Sequence, residues 1–326
     1  MGTFVKILLL SLPALVSASQ YYPNQPKWQK SITGIRLFDI LEHEVTDNST
    51  QLAVRAVTCS PPIPAEDFLK QTQNTNKKSE PTFPVGIDFV QSRGREIKDV
   101  FKVIRGSVTG NLILDRFLPS FGYQFKVQNM NDGVRTLFGA RADIIIAAYY
   151  PENSTLYYNQ SGEVGRAAVA LVHEMVHALD SESHHAVKQI EQKKAVFHRE
   201  MLRVVSSAKQ RARKQAWDLH LEDYTSGELS YLKDLKVEID QMEAIRSYRT
   251  ERLAYDISYK AWQELARLYP EYYLPQRPKR RLARRQSNAF EPANFTDPEL
   301  IQALGLNASV IRRFLSGACK RSASSH

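Results

Sequence analysis

The pattern of apolar and polar positions divides the chain into a short mixed region and a long helical one. Apolar residues recur at helical spacing over about 94–118, whereas apolar and polar residues alternate over 123–127, as they do in a half-buried strand. The more continuous apolar run 142–150 predicts a buried strand, and 155–158 predicts a further short strand that ends at a polar turn. These elements together predict a small sheet.

The chain beyond this sheet is predicted to be mainly helical. Helical spacing extends from residue 163 to about 268, with a break near residues 224–227. The Pro- and Arg-rich stretch 270–293 has the composition of a linker, and 296–315 predicts two short helices. A small sheet that leads into a long helix and then a second helical region indicates an α+β fold.

Domain boundaries follow from the same pattern. We expect a loosely structured, pro-like segment at 19–85, because this region is mixed and contains Pro-rich and polar stretches. The main domain is predicted at 86–270. A basic linker and a short helical tail are predicted at 271–326.

The N-terminus has the form of a secretory signal. Lys6 precedes the short apolar run 7–16, and Val16-Ser17-Ala18 is a small-residue cleavage pattern. The alternative is a membrane anchor, but the run is too short to span a bilayer. We therefore expect a signal peptide at 1–18 and a secreted protein that does not cross a membrane.

Five glycosylation sequons and two cysteines agree with export. The sequons begin at Asn48, Asn153, Asn159, Asn294 and Asn307. In an oxidising compartment Cys59 and Cys319 are expected to form a disulfide, and the alternative is a pair of buried thiols. Two cysteines cannot build a structural cysteine–zinc site, so any metal must be bound by histidines and carboxylates.

The net charge of +9 raises the question of an anionic partner. Much of the excess lies in the basic run 277–285, which is either a processing site or a solvated surface loop. No interleaved aromatic pattern or nucleic-acid motif accompanies the charge, so nucleic-acid binding is not expected. We expect a monomer that acts on a protein or peptide substrate.

The strongest chemical signal is His173-Glu174-Met175-Val176-His177, flanked by apolar residues. Residues four apart lie on one face of a helix, so both imidazoles can reach one Zn²⁺ ion. Glu174 is offset by one residue, which places it beside the metal, where it can act as general base toward a metal-bound water. The alternative is a pair of surface histidines on an amphipathic helix.

Zinc needs a third protein ligand, and several residues qualify. His184 and His185 follow the motif, but on a continuous helix His184 would stand about 10 Å along the axis from His177. Metzincins place their third histidine six residues after the second and after a turn glycine, a pattern that this sequence lacks. Asp180 shares the helical face of the ligands and either accepts a hydrogen bond there or ends the helix.

Glu251 is the remaining candidate. It borders an apolar helical face, and its helical neighbours Ser247, Ala254 and Ser258 are small, which leaves room for a metal. A glutamate in this position either binds a metal or forms a surface ion pair with a Lys or Arg one turn away.

The stretch from His173 to Asp180 resembles the zinc helix of gluzincins similar to the anthrax lethal factor catalytic domain and related secreted toxin peptidases. These carry Ala-apolar-Asp after the second histidine and take their third ligand from a helix reading Glu-x-apolar-Ala, which Glu251-Arg252-Leu253-Ala254 matches. The resemblance implies a zincin-like fold with zinc held by His173, His177 and Glu251. It also implies a catalytic tyrosine ahead of the ligand glutamate, the place that Tyr248 takes here.

The resulting prediction is a secreted zinc endopeptidase. Its small mixed sheet would pack on the active-site helix, and the strand at 155–158 would be the sheet edge that pairs with an extended substrate. The alternative from another class is a secreted, non-catalytic, basic binding protein on a zincin scaffold.

Overall fold

The computed structural model describes residues 62–73, 95–118, 126–129, 146–151, 153–158, 164–270 and 294–316. Its elements in chain order are helices α1 (Ala65–Gln73), α2 (Arg95–Gly106) and α3 (Val108–Phe117), strands β1 (Lys126–Asn129), β2 (Ala147–Tyr150) and β3 (Thr155–Tyr158), and helices α4 (Val164–Leu179), α5 (Ser181–Ala212), α6 (Ser226–Leu268), α7 (Asp297–Ala303) and α8 (Ala308–Leu315). The fold is mostly helical with a small sheet, which confirms the α+β class at this coarse level.

Several sequence-based predictions fall outside the described residues. They concern the signal peptide at 1–18, Cys59 and Cys319, the basic run 277–285, and the sequons at Asn48 and Asn159. None of the described helices combines the length and the apolar character needed to cross a membrane.

The chain forms two compact units, and each is built from separate segments. Among the described residues, the first unit comprises Pro62–Ser181 and Arg249–Gly305, and the second comprises Glu182–Tyr248 and the chain from Leu306 onward. The contiguous domain predicted at 86–270 is therefore divided between the two units, and long helix α6 contributes to both.

The core of the first unit is formed by helices α1 to α4 and the C-terminal part of α6. Phe68 and Leu69 of α1 are buried in this core together with Ile104, Ile113 and Val172. Within the segment predicted to be loosely structured at 19–85, the described residues 62–73 include α1, which packs on α3 and contributes to the core.

A break at Ser107 turns the single helix predicted over 94–118 into α2 and α3. Ser107 has an extended backbone and its hydroxyl accepts a hydrogen bond from the backbone N–H of Gly110 at 2.8 Å, as an N-cap does. Gly110 is required here, because a Cβ atom would lie 2.5 Å from the carbonyl oxygen of Ile104.

The sheet has three described strands in the order β1-β3-β2. β3 pairs parallel with β1 and antiparallel with β2, so the sheet is mixed, as predicted. β3 is buried along its whole length because it is the central strand. The expectation that 155–158 forms the sheet edge is therefore wrong, and β2 lies at one edge of the described sheet.

Helix α4 is buried around most of its circumference. Its residues include Ala167, Ala168 and Val172, which are small or apolar and are shielded from solvent by α2, α3 and the sheet. The helix ends at Leu179, whose carbonyl oxygen accepts a hydrogen bond from Arg116 at 3.4 Å. A cation at this end also complements the helix dipole.

In the second unit α5 and the N-terminal part of α6 run antiparallel. Ion pairs join the two helices at Lys193–Glu238 (2.6 Å), Lys194–Glu243 (2.8 Å) and Arg211–Glu228 (2.6 Å). The sequence had predicted a break near 224–227, and the observed interruption is longer, from Arg213 to Thr225, and contains two 3₁₀ turns.

The two short helices predicted over 296–315 are confirmed as α7 and α8. Each begins at a polar cap: Thr296 and Glu299 form a capping box, and the Asn307 side chain accepts from the backbone N–H groups of Ser309 and Val310. α7 belongs to the first unit and α8 to the second.

Candidate metal centre

The candidate site lies in the first unit and is built from α4, α6 and β2. α4 provides His173, Glu174 and His177, and the part of α6 after Tyr248 provides Glu251. Within the described residues, one ligand atom from each of His173, Glu174 and His177 lies within 4.8 Å of the others, a grouping that could hold a metal ion.

The carboxylate of Glu251 faces both histidines. Its Oε2 lies 3.3 Å from Nε2 of His173, and its Oε1 lies 3.5 Å from Nε2 of His177. Ligands bound tetrahedrally at the usual zinc distances of 2.0–2.1 Å are themselves about 3.3 Å apart. Each histidine nitrogen thus has a Glu251 oxygen at about this separation, and the two contacts use different oxygens of the carboxylate.

Either of two carboxylates, Glu174 or Glu251, could bind a metal ion together with the two histidines, and their contacts differ. The 4.8 Å grouping contains Glu174 rather than Glu251, yet the Glu251 oxygens approach the histidine nitrogens more closely. Glu174 is also engaged elsewhere, because its Oε2 accepts a hydrogen bond from the backbone N–H of Tyr149 at 2.7 Å. Glu251 is therefore placed to act as a third ligand, and Glu174 is held by β2.

The histidine rings are held by different neighbours. The ring of His173 lies edge-on to those of His177 and Tyr255, with both pairs of centroids 4.7 Å apart. Nδ1 of His177 lies 3.2 Å from the hydroxyl oxygen of Thr250, the residue before Glu251. Each ring is therefore fixed while its Nε2 faces the Glu251 carboxylate.

The site is buried and rich in carboxylates. His173, Glu174 and Glu251 are 7%, 4% and 8% exposed. Burial raises the pKa of Glu174 from 4.5 to about 7, since the stabilising charge of His173 and the Tyr149 hydrogen bond offset only part of the cost and Glu251 adds repulsion. Burial would lower the pKa of His173, but the hydrogen bond and charge of Glu251 outweigh it, so this pKa is raised.

The burial of these groups suits a divalent cation. Two buried carboxylates require compensating positive charge, which a metal ion held by the imidazoles and a carboxylate would supply. Imidazole nitrogen and carboxylate oxygen are donors that zinc accepts. The residues present therefore fit the metal that the motif predicts.

Tyr255 is the residue that the sequence analysis missed. It follows Glu251 by four residues, so it lies on the same face of α6, and its ring contacts the rings of His173 and Phe295. Burial and the charges of Glu251 and Glu174 raise its pKa well above 10, so its hydroxyl remains a hydrogen-bond donor. The spacing of four residues between Glu251 and Tyr255 is the sequence feature that could have identified it.

The predicted catalytic tyrosine, Tyr248, has different surroundings. It is 1% exposed and belongs to the second unit, where its ring packs against Phe314 with centroids 6.4 Å apart. These contacts give no support to a catalytic role for Tyr248, which stays a prediction.

The alternative ligands also have other neighbours. Asp180 comes directly after α4, and its charge acts on Arg116, the side chain that binds the end of that helix. His184 and His185 lie on α5 in the second unit, and Nε2 of His185 lies 3.1 Å from the Gln189 amide nitrogen.

The segment that begins at residue 294 packs beside the site. Arg252 donates to the carbonyl oxygen of Phe295 and to the carboxylate of Asp256, and it lies 3.7 Å from Asp297. These contacts hold the Phe295 ring against Tyr255, with centroids 5.0 Å apart.

In comparisons with known proteins, no family model, curated protein or solved structure matches the chain.

The raised pKa of Glu174 predicts how the stability of the metal-stripped protein depends on pH. Between pH 4.5 and about 7 the carboxyl of Glu174 is protonated in the folded state and ionised in the unfolded chain. The free energy of unfolding therefore falls as pH rises through this window. The raised pKa of His173 acts in the same direction. We expect a lower free energy of unfolding at pH 8 than at pH 5.

The contribution of Glu174 can be isolated by substitution. Glu174→Gln should remove about 2–3 kcal/mol of this pH dependence in urea unfolding measurements, because the amide does not ionise. Glu222→Gln, which changes an exposed glutamate, is the matched control. An unchanged pH dependence in the Glu174 variant would contradict the assignment.

Proposed function

We propose that the protein is a secreted zinc metallopeptidase with a zincin-like catalytic fold. The observation that carries the proposal is the convergence of the His173, His177 and Glu251 ligand atoms at 3.3–3.5 Å beside a separately held Glu174. His173, His177 and Glu251 would hold the zinc, leaving a coordination position for water or substrate. When bound, zinc supplies the acidity that makes a water nucleophilic at neutral pH and polarises the substrate carbonyl.

Glu174 would act as the general base. The N–H of Tyr149 fixes its Oε2, so Oε1 is the atom that can take a proton from the attacking water and pass it to the leaving amine. A pKa near neutrality suits both transfers, because a base of this strength both accepts and releases a proton readily. No covalent intermediate with the protein is needed.

Tyr255 would donate a hydrogen bond to the oxygen that gains negative charge during attack. Its place on α6, four residues after Glu251 and against His173, sets it beside the ligands, and its raised pKa keeps the donor proton in place. A donor fixed before the reaction costs no reorganisation when the charge develops. The resemblance assigns a catalytic role to Tyr248 instead.

An extended peptide is the substrate class that the sheet favours. β2 lies at an edge of the described sheet, and the N–H of Tyr149 points from this edge to Glu174. The backbone of a strand edge can pair with an extended peptide. We propose β2, rather than the central strand β3, as the element that aligns the peptide with the metal.

Substitution of the general base tests the proposed activity. Glu174→Gln should abolish cleavage of a denatured-protein or peptide-library substrate, lowering turnover by about 10²–10⁴. Zinc content should remain at the wild-type level, because the three ligands are unchanged. The protein would be the alternative binding protein if zinc-loaded wild type cleaved nothing and the variant kept the wild-type binding partners.

The two tyrosines of α6 provide a matched pair for the oxyanion role. Tyr255→Phe removes a hydroxyl beside the ligands and should lower kcat by about 10²–10³ with a smaller change in KM. Tyr248→Phe removes a hydroxyl from another buried tyrosine of the same helix and should leave kcat near the wild-type value. The reverse result would restore the role expected for Tyr248 from the sequence.

A further inference from the structure

We infer that Thr250 is a positioning residue for the metal ligand His177, an inference that rests on the proposed zinc site. The hydroxyl oxygen of Thr250 lies 3.2 Å from Nδ1 of His177, and the carboxylate of the next residue, Glu251, lies 3.5 Å from Nε2 of the same ring. Consecutive residues of α6 therefore engage both nitrogens of one imidazole.

The chemistry of imidazole assigns the direction of this hydrogen bond. A ring that binds a metal through Nε2 must leave that nitrogen unprotonated, so in the metal-bound state the proton is on Nδ1. Nδ1–H then donates to the Thr250 hydroxyl oxygen, which fixes both the tautomer and the rotation of the ring. If Nδ1 instead accepted from the hydroxyl, the neutral ring would carry its proton on Nε2, where it would block the metal.

Thr250 is well suited to hold a ring in one orientation. It is 7% exposed, so water does not compete strongly for its hydroxyl. Its branched side chain has few χ1 rotamers in a helix, which limits where the oxygen can lie. Since Thr250 and Glu251 are adjacent in α6, the ligand carboxylate and the positioning hydroxyl reach His177 from neighbouring positions of one helix.

The two histidines are consequently held in different ways. His173 is fixed by its ring contacts with Tyr255 and His177, whereas His177 has a polar partner on Nδ1. The partner is a neutral hydroxyl rather than a carboxylate, so it orients the ring without adding a third negative charge to a site that already contains Glu174 and Glu251. The inference is that Thr250 contributes to metal affinity through His177.

Zinc affinity measured on the full-length protein tests this role. The metal-stripped protein would be titrated with Zn²⁺ against a chromophoric chelator, for wild type and for Thr250→Val, which removes the hydroxyl and keeps the shape. We expect Thr250→Val to weaken zinc binding by about 10–100-fold. Thr250→Ser, which keeps the hydroxyl, should recover most of the loss.

Ser258→Ala is the matched control. Ser258 is another buried hydroxyl of α6, but it donates to the carbonyl oxygen of Tyr255 at 3.1 Å and not to a ligand. This variant should bind zinc as wild type does. Should Thr250→Val fail to fold by circular dichroism, Thr250→Ala is compared with Thr250→Ser in its place.

A nuclear magnetic resonance measurement separates orientation from general destabilisation. In the zinc-loaded wild type the Nδ1 proton of His177 should give a slowly exchanging signal, which should be lost or exchange rapidly in Thr250→Val and return in Thr250→Ser. Equal zinc affinity in wild type and Thr250→Val would overturn the inference and leave the zinc site intact. Failure of the wild type to bind zinc would overturn the proposed function itself.

Discussion

The structure of the site depends on the burial of the Glu251 carboxylate between two imidazole nitrogens. A buried carboxylate is costly unless positive charge or hydrogen-bond donors compensate it. Burial raises the pKa of Glu174 and of Tyr255, and the charge of Glu251 adds to both shifts. A divalent metal bound at this point would neutralise the charge of Glu251. It would thereby weaken the effect of that charge on Glu174 and on Tyr255.

The fold brings these groups together by packing α4 and the later part of α6 within one unit, although more than 70 residues separate His177 from Glu251. The intervening chain forms a separate unit that begins at Glu182. The residues of the site therefore come from the chain before and after this helical segment. β2 adds the backbone group that holds Glu174, so three elements determine the arrangement of four polar side chains.

Local features of the site could be predicted from the sequence, and distant contacts could not. The spacing of four residues places His173 and His177 on one face of α4, because the period of a helix fixes which residues share a face. The spans of β3 and of both tail helices could also be predicted from the local sequence. The order of the strands depends on pairing between distant segments, which explains why β3 was mistaken for the edge. The division into two units and the surroundings of Tyr248 likewise depend on tertiary packing. Tyr255 and Thr250 were not identified from the sequence, because each is distinguished by its contact with a histidine of α4, His173 and His177 respectively.

The most direct test of the account is to count zinc by elemental mass spectrometry in the purified protein and in ligand variants. The account predicts a single zinc ion per chain in the wild type and in His185→Ala, and its loss in both His177→Ala and Glu251→Ala. Zinc retained in the Glu251 variant, or absent from the wild type, would contradict the claim that His173, His177 and Glu251 form the metal centre.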